Sequence, residues 1–150
     1  MDTLKWGVEL TSLRKIENPL GNVMHGIKQS ESSYCGFGEA YFSCVQPGSR
    51  KGWKKHNKMT LNLIVPIGAI RVFIFSARLS GEINLDEGPL EYLIGAENYC
   101  RLTIPPKLWV GFQGEGIEES MLLNVASHEH DPQEFDTMGI ESVNFNWHSN

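Results

Sequence analysis

The chain has 150 residues, a formal net charge of -5, and 41% hydrophobic against 21% charged residues. One globular domain over residues 1–150 is expected, and non-specific nucleic-acid binding is excluded because it needs widespread phosphate neutralisation. No apolar stretch approaches the ~20 residues of a bilayer-spanning helix. Cys35, Cys44 and Cys100 form neither a CxxC pair nor a zinc cluster, and the N-terminus shows no leader pattern. Reduced thiols in a cytoplasmic protein, with no membrane or nucleic-acid partner, are the expectation.

In chain order, Val23–Gln29 reads as a first strand after the turn signal Asn18-Pro19-Leu20-Gly21-Asn22. Glu39–Gln46 is aromatic and β-favouring and stops at Pro47-Gly48. Leu61–Val65 and Ala69–Phe75, separated by Pro66-Ile67-Gly68, read as a hairpin with a short turn. Leu90–Ile94 follows, then Cys100–Ile104, which stops at Pro105-Pro106 because proline cannot donate to a central ladder. Trp109–Gln113 and Met121–Ser127 are two more strands, and Asp131–Met138 has room for one helical turn. Eight or nine short strands with almost no helix predict an all-β antiparallel jelly roll whose mouth holds a ligand.

The sharpest local feature is the run from Gly48 to Lys58, which carries five of the thirteen lysines and arginines. A cationic cluster on an acidic chain points to a specific anionic ligand. If the run is extended, Lys54, His56 and Lys58 share one face, with Trp53 and Lys55 on the other. Trp53 beside the charges suits stacking on a base or sugar ring, and Arg50 adds a further cation. A solvated loop before a strand is the plain alternative. Arg71 lies inside a strand, where it is either an edge residue or a bidentate phosphate ligand. Asn62 and Asn124 are polar residues in apolar strands; each can orient a sugar hydroxyl or bond a neighbouring strand. His128 and His130 flank Glu129, and with His56 they offer either three metal nitrogens or a proton carrier.

Taken together, Asn18–Asn22, Gly38-Glu39-Ala40-Tyr41-Phe42-Ser43, Pro47-Gly48 with Gly52-Trp53-Lys54-Lys55-His56, and Val65–Phe73 form an ordered series. Glu97–Pro106, Val110-Gly111-Phe112, His130-Asp131-Pro132-Gln133-Glu134 and Asn144–Trp147 continue it. The series covers residues 16–147 and resembles the dTDP-4-dehydrorhamnose 3,5-epimerase family. That resemblance implies a cupin-type jelly roll, a homodimer with strands exchanged at its interface, and no metal or organic cofactor. It implies a nucleotide-linked 4-keto-6-deoxyhexose as substrate, in deoxysugar or surface-polysaccharide biosynthesis. The 4-keto group acidifies the protons at C3 and C5. In the family a histidine removes one, a cationic side chain stabilises the enolate, and a tyrosine returns a proton on the other face.

The resemblance breaks at the reacting positions. Related sequences carry His-x-His after the Gly-Trp pair, where this chain has Lys54 and His56; the family's tyrosine falls at His130, and a family histidine becomes Val110. The resemblance therefore implies His56 or Lys54 as base and His130 as acid, and the charge and strand readings above add Arg50, Trp53, Lys58, Asn62 and Arg71 as substrate-binding residues. A domain that has lost catalysis but binds a nucleotide sugar or a protein partner, and a metal-dependent cupin using His56, His128 and His130, are the alternatives.

Overall fold

Runs of branched and aromatic side chains become strands here because each can be buried between two layers. A computed structural model describes residues 2–148. The strands are β1 (Asp2–Thr3), β2 (Glu9–Ser12), β3 (Lys15–Ile16), β4 (Val23–Met24), β5 (Glu39–Val45), β6 (Arg50–His56) and β7 (Leu61–Ile67). They continue with β8 (Ala69–Ser76), β9 (Leu90–Gly95), β10 (Cys100–Ile104), β11 (Leu108–Gly114), β12 (Ser120–Ala126) and β13 (Phe135–Thr137). A six-stranded sheet has the order β1-β2-β10-β7-β12-β5, and a five-stranded sheet the order β13-β6-β11-β8-β9. All pairings are antiparallel. This is the jelly roll expected from the strand pattern. Among the described residues, no helix is long and apolar enough to cross a membrane.

The main core lies between the sheets. Leu61, Leu63 and Val65 of β7 with Leu122 and Ala126 of β12 meet Ile70, Val72 and Ile74 of β8 and Val110 of β11. A second cluster covers the outer face of the five-stranded sheet: Trp53, Phe73, Phe75 and Trp109 pack under Val143, Phe145 and Trp147 of the C-terminal segment. Trp53 meets Trp147 at 5.1 Å and Phe75 at 5.5 Å between ring centroids. Gly111 makes this possible, since a Cβ there would lie 2.8 Å from the Trp53 ring and 3.0 Å from that of Trp147.

Three expectations change. β7 and β8 do not pair as a hairpin; they enter different sheets. Each is apolar enough to be buried on its own, so the short connection turns a corner instead of folding back. Gly68 makes the corner at φ +80°, and the Ser120 hydroxyl fastens it by accepting from the Ala69 N–H at 3.0 Å and donating to the Ala69 carbonyl at 3.1 Å. The first predicted strand shrinks to β4, which pairs only with β3 in an exposed ribbon. The segment expected to hold a helical turn makes one hydrogen-bonded turn, from the Glu134 N–H to the Asp131 carbonyl at 3.0 Å, and then continues as β13, because β6 offers it an open edge.

The corner yields a test. A Cβ at Gly68 would lie 2.2 Å from Ser120 Oγ and 2.9 Å from its Cα, on a backbone that L-residues avoid. Gly68→Ala is expected to destabilise the fold by about 2–4 kcal/mol. The measurement is the urea midpoint, and a wild-type midpoint would show that the corner is not constrained.

Candidate functional site

Between the two sheets, beside β5 and β6, lies a cavity of about 290 Å³. Its floor is apolar, made by Leu61, Leu63, Val110, Phe112 and Leu122. Lys51, Lys54 and His56 of β6 stand along one wall, while Tyr41, Ser43 and Asn124 come from the opposite sheet. Strand alternation explains Lys54 and His56, which are two residues apart. Lys51, three residues before Lys54, should face the other way. A register slip against β11 between Val110 and Phe112 turns it to the cavity side. There Lys51 Nζ donates to the Cys44 carbonyl at 2.6 Å and lies 3.4 Å from Ser43 Oγ.

His56 is held from behind. Its Nδ1 lies 2.6 Å from Oε1 of Glu134, which is 6% exposed. The other oxygen, Oε2, accepts from the backbone N–H groups of Asn57 (2.8 Å), Lys58 (2.7 Å) and Met59 (3.0 Å). Burial alone would raise the Glu134 pKa. The hydrogen bond from His56, those from Lys58 and Met59, and the nearby imidazole charge outweigh it and bring the carboxyl from 4.5 down to about 2. An ionised carboxylate only accepts, so Nδ1 must be the donor. Neutral His56 therefore carries its lone pair on Nε2, the tautomer of a general base. Phe135 completes the surroundings: Lys54 Nζ sits 4.4 Å over its ring, and the rings of His56 and His130 lie 5.7 and 5.4 Å away.

The other expected site residues lie elsewhere. The Trp53 ring is fully buried in the outer aromatic cluster, leaving only part of the residue on the cavity wall. Arg50 reaches to the outer face, where Nη2 donates to the His148 carbonyl at 3.3 Å and the guanidinium stacks over Trp147. Lys58 is exposed beyond the end of β6, where the chain wraps around Glu134 and alternation stops. Arg71 alternates with Phe73 on the outer face of β8 and is paired to Glu91 at 3.1 Å and Glu115 at 3.0 Å. Asn62 points away from the cavity into a buried polar layer: Nδ2 donates to the Ser33 carbonyl at 3.1 Å, and Oδ1 accepts from Thr103 at 2.5 Å.

His130 is exposed and is not among the residues lining the cavity. His128 hydrogen-bonds Ser127 Oγ at 2.9 Å, so the three histidines are not gathered. Among the described residues, no group of three or more His, Cys, Asp or Glu is placed to hold a metal ion. The sequence singles out neither Glu134 nor Tyr41, and Lys51 enters only as one charge of the basic run. Glu134 lay inside the Asp-Pro-x-Glu segment, its only signal.

The native Glu134 carboxyl holds its proton more weakly than the unfolded chain does. Its contribution to stability is thus complete above about pH 4.5 and fades as the pH falls towards 2. Urea melts of the wild type should lose on the order of 3 kcal/mol over that interval, and Glu134→Gln should lose much less. Equal acid sensitivity in both would show that this carboxyl is not the titrating group.

No family model matches the chain. It is 30% identical to a dTDP sugar isomerase from Desulfovibrio desulfuricans G20, with a TM-score of 0.85 over 95% of this chain and 91% of that one. The dTDP-4-dehydrorhamnose 3,5-epimerase of Sulfolobus tokodaii shares the fold, with a TM-score of 0.80, 18% identity, and coverage of 96% and 84%. A Haloferax volcanii protein, the probable low-salt glycan biosynthesis epimerase Agl13, is 30% identical over 99 residues. That match spans 65% of this chain and 62% of the relative. With these likenesses running along the same jelly roll, the chain belongs to the dTDP-4-dehydrorhamnose 3,5-epimerase family of nucleotide-sugar epimerases and isomerases.

Proposed function

We propose that this protein is an epimerase of a nucleotide-linked 4-keto-6-deoxyhexose, acting in deoxysugar or surface-polysaccharide biosynthesis. The observation that carries the reading is the His56–Glu134 pair, with the Lys54 ammonium beside it, above the apolar floor of the cavity. His56 Nε2 removes the proton from a carbon next to the ketone, and the Glu134 carboxylate steadies the imidazolium that forms. The electron pair moves onto the carbonyl oxygen, where the Lys54 ammonium stabilises the enolate. A lysine in the family's first histidine position thus serves as a fixed charge, and His56 is the base. The chemistry draws on no metal or organic cofactor.

The same reading makes the protein a single-domain cytoplasmic homodimer. β5 closes one end of the six-stranded sheet, and Phe42 on it is 65% exposed, an apolar edge that suits pairing with a second copy. Light scattering should give twice the 16.9 kDa chain mass, and a monomer at working concentration would count against the dimer.

Solvent deuterium reports the first chemical step. Incubated in D2O with a dTDP-linked 4-keto-6-deoxyhexose, the wild type should incorporate deuterium at C3 or C5. His56→Ala should lower exchange by about 10²–10⁴-fold and Lys54→Met by about 10²–10³-fold. Undiminished exchange in His56→Ala would sink the assignment of the base.

A further inference from the structure

Inversion at carbon requires a proton donor on the side of the sugar opposite the base. Lys54 and His56 belong to the five-stranded sheet, so the donor is to be sought on the facing six-stranded sheet. Tyr41 and Asn124 stand there, on the neighbouring strands β5 and β12.

Asn124 is fully buried, and an amide in such a place is unfavourable unless both of its ends are used. Its Oδ1 accepts from the backbone N–H of Asn62 at 3.2 Å, and its Nδ2 donates to Tyr41 Oη at 3.1 Å. The first bond decides the polarity of the second. A backbone N–H can only donate, so the carbonyl end of the amide must face Asn62 and the NH₂ end must face the phenol. Asn62 cannot drift, because its own side chain is held by the Ser33 carbonyl and the Thr103 hydroxyl. The oxygen of Tyr41 is therefore an acceptor in this contact, and its hydrogen is left for the cavity. Tyr41 is 41% exposed and lines the cavity. His130, the position that the resemblance offered for the acid, lies outside the cavity lining.

We propose that Tyr41 is the catalytic acid of the epimerisation and Asn124 its positioning residue. The inference rests on the epimerase reading above. His56 removes the carbon-bound proton, and the electron pair of that bond becomes the enolate. The Tyr41 O–H bond then breaks, its proton forms the new C–H bond on the opposite face, and a phenolate remains. The imidazolium proton returns to the phenolate through water, leaving the enzyme unchanged.

The test measures exchange and inversion separately, in D2O, with a dTDP-linked 4-keto-6-deoxyhexose. Tyr41→Phe removes one oxygen from a partly exposed ring. It should lower the inverted product at least about 100-fold, while recovered substrate still gains deuterium through His56. Inversion at the wild-type rate in Tyr41→Phe overturns the proposal. So does loss of exchange together with inversion in a folded variant, because the acid is not needed to form the enolate. Loss of inversion in His130→Phe with Tyr41→Phe intact assigns the proton to the histidine and also overturns it. Absence of exchange in the wild type sinks the epimerase reading itself, an outcome distinct from these.

Asn124→Asp is nearly isosteric but replaces a donor by an acceptor, which draws the phenolic hydrogen away from the cavity. It should lower kcat for inversion about as much as Tyr41→Phe, with KM and exchange retained. A purely structural role would lower exchange as well. If thermal melts show that Asn124→Asp does not fold, Tyr41→Phe alone decides the case.

Discussion

Glu134 carries a negative charge into a place where burial by itself would favour the protonated acid, and four N–H groups keep it ionised. Much of the site follows from that one carboxylate. The three backbone donors are consecutive residues, Asn57, Lys58 and Met59, so the carboxylate fixes the turn by which β6 leaves its sheet. The fourth donor is the His56 ring, so the same group sets the tautomer. Glu134 also immediately precedes β13, and the ladder from β13 to β6 keeps Phe135 beside Lys54. Two demands meet in one side chain, since the group that ties down the strand end also orients the His56 imidazole.

The two walls of the cavity are built by opposite means. On the β6 side, charge is concentrated and backed by aromatic rings: Trp53 and Trp109 fill the outer face of the sheet, behind the face that carries Lys54 and His56. On the β5–β12 side, the polar groups are neutral and are arranged by hydrogen-bond direction. Between them the floor has no polar side chain. Water gains little by occupying it, and a sugar carbon can approach the imidazole without competing hydrogen bonds.

Much of the architecture was legible in the sequence because Leu61–Val65 and Ala69–Phe75 are largely apolar and Cys100–Ile104 alternates and stops at two prolines. Their partners were not legible. Nothing in Pro66-Ile67-Gly68 distinguishes a hairpin turn from a corner between sheets; that is settled by Ser120, some fifty residues away. β6 was hidden by its lysines, which read as a solvated loop until both edges of the strand are seen to be paired. β13 was hidden because Asp131–Met138 has short-range helical character and gains its strand partner only in the folded chain. Lys54 and His56 could be found from their spacing. Lys58, Arg50 and Arg71 were drawn into the site by charge alone, and each has its own local reason to be elsewhere. Glu134 meets His56 across 78 positions, a closure that no local pattern encodes.

The register slip that turns Lys51 toward the cavity has a kinetic meaning as well as a geometric one. It places two ammonium groups, Lys51 and Lys54, along one rim of a molecule whose overall charge is -5. The diphosphate of the substrate proposed above would be repelled by the net charge of the chain and attracted at this rim. Encounter is thereby biased in orientation before any contact forms, and the bias weakens as salt shortens the reach of the field. A one-residue irregularity between two strands would thus bias which end of such a substrate arrives first.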